Sequence, residues 1–262
     1  MELNKIYNED CLEGMKRIPD NSVDLTVTSP PYDNLRSYNG NNDVWNEVVW
    51  KSVIKELYRV TKDGGVVVWV VGDSTVNGSE TGTSFKQALH FKDVGFDLHD
   101  TMIYKKTKYV PLTHKRYEQA FEYMFILSKG KPKTFNGIKL RTIHAGEDAK
   151  RTFYQNKNQN VPTEENTPTK VKETKLKSNV WELTPGEGSI KGHPAQFPLR
   201  LAQDHVISWS NEGDTVLDTF IGSGTTAIAS MRTGRNYIGF ELDEEYYKVA
   251  QQRIEDELKV YP

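Results

Sequence analysis

Residues 28–32 read Thr-Ser-Pro-Pro-Tyr and stand between an apolar run, V-D-L-T-V, and a polar one, D-N-L-R-S-Y-N-G-N-N-D. Two consecutive prolines lack N–H donors and hold φ fixed, so the chain turns a stiff corner there. Ser29 Oγ and the Pro30 carbonyl become two acceptors at a set spacing, which suits an exocyclic amino group with two hydrogens to donate. Tyr32 adds a flat face on which a planar base can stack. In isolation the tetrapeptide reads as a turn that ends a strand.

A second constellation covers residues 216–226, V-L-D-T-F-I-G-S-G-T-T. An apolar strand runs into a loop with Gly222 and Gly224, then into a helix starting near Thr225. Glycines let backbone amides approach a ligand closely, and a helix N-terminus offers unpaired N–H groups. The next strand ends in F-E-L-D, which places Glu241 about twenty residues beyond the glycines, where an acid can hydrogen-bond a ribose. The arrangement fits a ligand with an adenosine-like ribose. The phosphate-loop pattern G-x-x-x-x-G-K-[ST] is missing from this loop, which argues against a nucleoside triphosphate. The dinucleotide pattern G-x-G-x-x-G is half met, because Ala227 holds the third position. A nicotinamide-dependent dehydrogenase is therefore a rival reading that Ala227 and the S-P-P-Y corner both disfavour.

The elements that must position these residues follow from periodicity. I-Y-N-E-D predicts a strand and C-L-E-G-M-K-R-I a helix. V-D-L-T-V-T predicts a buried strand, and V-W-K-S-V-I-K-E-L-Y-R-V-T a helix stopped by Asp63-Gly64-Gly65. G-V-V-V-W-V-V-G is the most hydrophobic strand, followed by the helix S-F-K-Q-A-L-H-F-K-D-V-G and the strands D-L-H-D-T-M-I-Y and F-E-Y-M-F-I-L-S. From Lys129 to about Gly192 the pattern dissolves into Lys, Asn, Thr, Pro and Glu. Order returns with the helix F-P-L-R-L-A-Q-D-H-V-I-S-W-S, the strand T-V-L-D-T-F and the helix G-T-T-A-I-A-S-M-R-T-G. The strand N-Y-I-G-F-E-L-D and a last helix, E-Y-Y-K-V-A-Q-Q-R-I-E-D-E-L, complete the chain. Alternating strands and helices imply an α/β fold with a mostly parallel sheet.

The whole chain, 262 residues long, is sufficient for one α/β domain with an insertion. The single cysteine, Cys11, excludes an intrachain disulfide and a cysteine-only zinc cluster, and suggests a reducing, intracellular compartment. No apolar run has the length of a membrane span, and M-E-L-N-K-I-Y-N-E-D lacks a signal-peptide core. Residues 129–179 hold twelve Lys/Arg against five Asp/Glu, a net of +7, so a total of -2 leaves -9 for the remainder. Such a basic block can meet phosphates, although charge runs are commonly solvated surface.

S-P-P-Y together with D-T-F-I-G-S-G-T-T resembles the S-adenosylmethionine-dependent DNA amino-methyltransferases. The tetrapeptide comes first and the cofactor glycines last, an order that resembles the circularly permuted beta group. The resemblance covers nearly the whole chain outside 130–192. It implies a Rossmann-like sheet of seven strands, circularly permuted, with an inserted target-recognition region. Residues 1–129 would form the catalytic half, 130–192 the insertion and 193–262 the cofactor-binding half. Asp218, Phe220, Gly222, Ser223, Gly224 and Thr225 match the motif holding the methionine end, and Glu241 matches the ribose acid. Asp10 matches an acidic residue near the cofactor adenine. H-P-A-Q-F-P, with His193 and Gln196, resembles a segment that helps enclose the methionine. Ser29, Pro30, Pro31 and Tyr32 match the catalytic tetrapeptide. F-E-Y-M-F-I-L-S-K-G resembles a strand that shapes the target-base pocket, departing from many relatives at Phe121.

The implied reaction is methyl transfer to a base amino group in double-stranded DNA, with the base flipped out and no metal. Ser29 and the Pro30 carbonyl would draw the amino hydrogens and localise the nitrogen lone pair. Ring-carbon methylation needs a thiolate in a Pro-Cys context, and Cys11 reads instead as a small buried hydrophobe. Serine in the first position is associated in the family with cytosine N4, and aspartate or asparagine with adenine N6, so N4 of cytosine is the expected target and N6 of adenine the alternative. Methylation of a protein amide and an inactive DNA-binding relative are further rivals. DNA contacts are expected from Arg36 and Tyr38 in the loop after the corner, and from Lys170, Lys172, Lys175 and Lys177 in the basic block. A second copy of the chain in a homodimer and a companion restriction endonuclease are candidate partners, and a cytoplasmic location for a prokaryotic or phage-encoded protein completes the expectations, with no membrane partner. His90, His99, His114, His144 and His205 show no metal spacing. The five tryptophans read as core or loop anchors, with a place near the base pocket as the lesser reading for Trp45.

Overall fold

Runs rich in β-branched residues form the strands here, and apolar stripes of helical period form the helices. The computed structural model describes residues 1–31, 45–109, 111, 115–148, 170–186 and 197–260. In chain order the elements are β1 (Lys5–Asn8), α1 (Cys11–Met15), β2 (Val23–Thr28), α2 (Glu47–Val60), β3 (Thr61–Val71), β4 (Thr75–Val76), β5 (Ser79–Glu80), α3 (Thr83–Val94), β6 (Asp97–Lys106), β7 (Phe121–Ser128), β8 (Lys139–Arg141), β9 (Thr174–Leu176), β10 (Val180–Leu183), α4 (Leu199–Trp209), β11 (Thr215–Asp218), α5 (Thr225–Arg232), β12 (Asn236–Glu241) and α6 (Glu244–Val260). They fall into two compact units, Met1–Asn136 with Asn179–Pro262, and Gly137–Ser178.

The larger unit carries one sheet in the order β1-β12-β11-β2-β3-β7-β6-β10. β1, β12, β11, β2 and β3 are mutually parallel, β7 runs against both β3 and β6, and β10 is parallel to β6. The sheet has eight strands where seven were expected. The eighth, β10, comes from the stretch read as irregular, because four residues, V-W-E-L, are too few to stand out among polar neighbours. Its Trp181 and Leu183 are buried, whereas Val180 and Glu182 are exposed. The late strands β11 and β12 slot between the early strands β1 and β2, so the cofactor-type half completes a sheet that the N-terminal half begins.

The expected helix stop at Asp63-Gly64-Gly65 is corrected. α2 ends at Val60, and Thr61 turns directly into β3 while its hydroxyl donates to the Leu57 carbonyl at 2.6 Å. Val23 pairs with Thr61 and Leu25 with Val66, so the D-G-G residues form an irregularity inside the strand. The expected strand T-V-L-D-T-F likewise ends early, at Asp218.

The core lies between sheet and helices. Trp69 is fully buried, packs edge-on to Phe91, and donates its indole N–H to Gln87 Oε1 at 2.9 Å, which removes the cost of an unpaired donor. α1 lies so close to β12 that a Cβ on Gly14 would come within 2.1 Å of Phe240 Cε1. The Phe240 ring is itself buried and has no room to retreat. Gly14→Val should therefore cost about 3 kcal/mol, the upper part of the overpacking range. That corresponds to a Tm lower by about 6–12 °C in calorimetry; an unchanged Tm would show that α1 can lift off without penalty.

In the smaller unit β8 and β9 form an antiparallel pair, with Lys139 opposite Leu176, Leu140 opposite Lys175 and Arg141 opposite Thr174. All six strand residues are exposed. Lys170 sits 3.3 Å from Asp148, across an isolated bridge between the same two residues. Among the described residues no helix is long and apolar enough to cross a membrane.

Candidate active site

β12, β11 and β2 are neighbours and parallel, so Glu241, Asp218 and Thr28 stand side by side at their carboxyl ends. From β11 the chain proceeds to β12 on one side, and from β2 to β3 on the other. Such a divergence leaves a crevice at the strand ends. Here the crevice is a cleft of about 1090 Å³, its open mouth included. Asp10, Ser29, Pro31, Asp218, Phe220, Gly222, Ser223, Thr225 and Glu241 all line it. Residues roughly 190 positions apart in sequence, such as Thr28 and Asp218, meet beside this space. Pro30 is buried next to it. Tyr32, Arg36, Tyr38, His193 and Gln196 lie outside the described residues. Lys170, Lys172, Lys175 and Lys177 belong to the smaller unit, where all but the half-buried Lys177 are exposed.

Asp218 holds the two constellations together. Its Oδ1 accepts from the Thr28 hydroxyl at 2.6 Å and from the Phe220 amide at 3.0 Å, while the nearby Thr226 hydroxyl donates to the Val27 carbonyl at 3.2 Å. Burial nevertheless dominates and pushes its carboxyl up to about 6, because these donors only partly replace water. Glu241 accepts from Gly222 N–H through Oε2 and from Asp243 N–H through Oε1, both at 2.9 Å. The expected ribose acid thus also pins the glycine loop, and burial pushes it up to about 7. Asp10 caps α1, accepting from Leu12 N–H at 2.7 Å.

Gly222 and Gly224 have φ of 51° and 84°, a left-handed region where side chains other than glycine are strained, and Gly224 is the residue from which α5 starts. The hydroxyls of Ser223 and Thr225 turn toward Arg253 on α6. Arg253 Nη1 donates to Ser223 O at 2.8 Å, to Ser223 Oγ at 2.9 Å and to Thr225 Oγ1 at 3.3 Å. Nothing in the sequence singled out Arg253, since it lies about thirty residues beyond the loop on a helix of ordinary amphipathic pattern. Trp45 lines the cleft with its ring edge-on to Phe220, centroids 5.1 Å apart. Glu9, Val49, Phe197, Asp243 and Tyr246 complete the walls without having been anticipated. Cys11 is buried in the wall, and desolvation pushes its thiol far up, in keeping with a small hydrophobe.

Five carboxyl groups (Glu9, Asp10, Asp218, Glu241 and Asp243) and the rings of Trp45, Phe220, Phe240 and Tyr246 face one cleft. Acid beside aromatic surface suits a cationic ligand that carries a flat ring. Residues 23–252 match the N6/N4 DNA methylase family. The chain belongs to that family. It is 47% identical over 249 residues to the orphan methyltransferase M.BamHII of Bacillus amyloliquefaciens, covering 92% of each chain. It is 28% identical to the DNA adenine methyltransferase YhdJ of Escherichia coli K12, covering 97% of this chain and 83% of that one. Among solved structures, a DNA modification methylase of Thermus thermophilus, TTHA0409, complexed with S-adenosylmethionine, superposes with a TM-score of 0.64 at 27% identity over 96% and 95% of the two chains. The cytosine-N4-specific PvuII DNA methyltransferase shares the fold, with a TM-score of 0.70 at 21% identity over 97% and 90%. S-adenosylmethionine is the methyl donor of this family of DNA amino-methyltransferases.

Proposed function

We propose that this DNA methylase methylates the N4 amino group of cytosine at a specific site in double-stranded DNA. The observation that carries the reading is the placement of Ser29, at the end of β2, in the same cleft as the Asp218 loop one strand away. Bound in the cleft, the cofactor supplies an electrophilic methyl group on a positively charged sulfur. Asp218, Phe220, Gly222, Ser223, Gly224 and Thr225 hold its methionine end with His193 and Gln196, Glu241 takes the ribose hydroxyls, and Asp10 lies on the adenine side. Ser29 Oγ and the Pro30 carbonyl accept the two amino hydrogens of the target base, and Pro31 keeps the corner stiff. Accepting both hydrogens favours a pyramidal nitrogen and directs its lone pair along the line of attack. The base leaves the duplex stack to reach the corner, and stacking on Tyr32 offsets part of that cost. Arg36 and Tyr38, in the loop after the corner, occupy the gap left in the duplex. After transfer the extra proton passes to water.

Serine at the first position of the tetrapeptide supports cytosine over adenine. The 28% identity to a DNA adenine methyltransferase favours N6 of adenine as the second reading. Tritiated methyl incorporation into duplex DNA, followed by nucleoside mass spectrometry, decides between them: N4-methylcytosine supports the first, N6-methyladenine replaces it, and a ring-carbon product overturns both.

Segment 130–192 is the target-recognition region in this reading, with its basic residues on DNA phosphates. Neutralising Lys170, Lys172, Lys175 and Lys177 together should flatten the fall of affinity with salt by about 0.9 for each phosphate left unneutralised. Because Lys170 already pairs with Asp148 and Lys177 is half-buried, the expected change comes from Lys172 and Lys175. Binding isotherms that match the unaltered protein at every salt concentration would reduce the run to solvated surface.

Cofactor affinity should also depend on pH. A carboxyl raised to about 7 is mostly protonated at pH 6, yet must be ionised to accept fully from a ribose diol. Binding therefore expels a proton below pH 7, at a penalty approaching tenfold per pH unit. Calorimetry should give an affinity about tenfold lower at pH 6 than at pH 8, and Glu241→Gln should flatten the dependence. A profile in Glu241→Gln as steep as in the unaltered protein would assign the proton elsewhere.

A further inference from the structure

The carboxyl edge of the sheet carries different side chains at its two sides. On the side of β11, β12 and β1 it presents Glu9, Asp10, Asp218, Glu241 and Asp243 to the cleft. On the opposite side, β6 ends and β7 begins at this same edge, since β6 is parallel to β2 and β3 while β7 is reversed. The stretch 105–117 that leaves β6 holds five Lys/Arg and no Asp or Glu, Glu118 and Glu122 follow it, and Glu80, Glu122 and Glu182 pair with three of its five cations. Ser29 lies between these two zones. Strands spaced about 4.8 Å apart put the start of β7 and the end of β6 about 10–14 Å from the β2 corner, close to the roughly 12 Å width of a DNA major groove.

Both ends of the β6–β7 turn are tied down. Lys106 N–H donates to Ala120 O at 2.7 Å and Thr107 N–H to Leu183 O at 3.1 Å, while the Thr107 hydroxyl meets that of Thr184 at 3.0 Å. Arg116 donates to the Gly78 carbonyl at the tip of the β4–β5 hairpin and lies 3.7 Å from Glu80. Lys105 and Lys106 pair with Glu182 and Glu122. Lys108 and Lys115, by contrast, are exposed and have no carboxylate partner among the described residues, and Tyr117 is 100% exposed. Anchored ends that present two exposed ammonium groups and a fully exposed phenol match the groups by which proteins grip a sugar–phosphate chain.

We propose that the β6–β7 turn is a second DNA-contacting element, separate from the basic unit at 137–178, in which Lys108 and Lys115 neutralise two phosphates and the Tyr117 hydroxyl donates to the same backbone. It rests on the reading of the protein as a DNA methyltransferase and identifies where the duplex lies: over the β3, β7 and β6 side of the corner, away from the acidic cleft.

The test is fluorescence anisotropy of the full chain on a mixed-sequence duplex between about 50 and 200 mM salt. Lys108→Ala with Lys115→Ala should make the slope of log affinity against log salt shallower by about 1.8, at 0.9 per phosphate. Lys108→Arg with Lys115→Arg should restore it, and cofactor affinity should be unchanged in both. Tyr117→Ala should lower affinity about fivefold at every salt concentration without altering the slope, as expected for the removal of one uncharged hydrogen bond. A double alanine variant with the original slope overturns the proposal, as does an arginine variant that fails to restore it. An unaltered protein that neither binds the duplex nor methylates it would instead sink the underlying functional reading.

Discussion

Ser29→Ala should lower the rate of methyl transfer on the order of a hundredfold while leaving cofactor affinity nearly unchanged. Removing one preorganised hydrogen-bonding group that acts on the reacting atoms commonly costs a few kcal/mol of transition-state stabilisation. Ser29 lines the cleft beside the strand end, whereas the loop at Gly222 and Gly224 is held by Glu241 and Arg253, neither of which depends on the serine hydroxyl. The loss should therefore fall on kcat, with little change in the Michaelis constant for the cofactor. Single-turnover kinetics on duplex DNA, paired with calorimetry of cofactor binding, separates the two quantities. Full activity in Ser29→Ala would leave T-S-P-P-Y as a strand-ending turn and nothing more. Tyr32→Phe and Tyr32→Ala refine the result: the ring is the stacking surface, so only the alanine should impair capture of the flipped base.

Asp218→Asn should make the protein more stable at pH 8 and no more stable at pH 4. The carboxyl stands at about 6 in the fold, above its ordinary value of 3.8, because burial disfavours its charge. A raised carboxyl contributes stability that is fully present below the unfolded value and is lost as pH rises through the folded one. At pH 8 the fold therefore carries the ion at a cost of about 3 kcal/mol, taking 1.36 kcal/mol per pH unit. An asparagine keeps an oxygen where Thr28 and the Phe220 amide donate, and discards the charge. Thermal denaturation should show a Tm higher by several degrees at pH 8 only. Cofactor affinity should fall together with the gain in stability, since the negative charge is what the cationic ligand meets. A variant with a lower Tm at both pH values would show that its donors make the ionised carboxylate a net stabiliser after all.

The elements and the chemistry were largely legible in the residues themselves. β2 and β7 have the bounds read from V-D-L-T-V-T and F-E-Y-M-F-I-L-S, because a run of β-branched and aromatic residues has few alternatives when it is buried on both faces. The glycine loop and the helix behind it were visible because left-handed backbone nearly demands glycine at 222 and 224. The order of the two constellations was enough to indicate a permuted arrangement. Where local signals were weak or misleading, the reading failed. D-G-G resembles a helix stop, yet the helix has already ended at Thr61, whose backbone turns extended, and β10 was too short to be seen.

What only the tertiary structure decided is which groups meet. The sequence contains Asp218 and Thr28 but not the 2.6 Å between them, because the approach of β11 to β2 depends on pairing across 190 residues. It contains Glu241 as an acid after a strand, but not its grip on the Gly222 amide, nor the burial that raises it to about 7. Arg253 reaches Ser223 only because α6 packs beside α5, and helix periodicity tells which face is apolar without telling what lies against it. The gathering of five acids at one cleft has the same origin. Charge at each position is a property of the residue, whereas its side of the cleft follows from strand order, and strand order arises from the burial of the whole sheet at once.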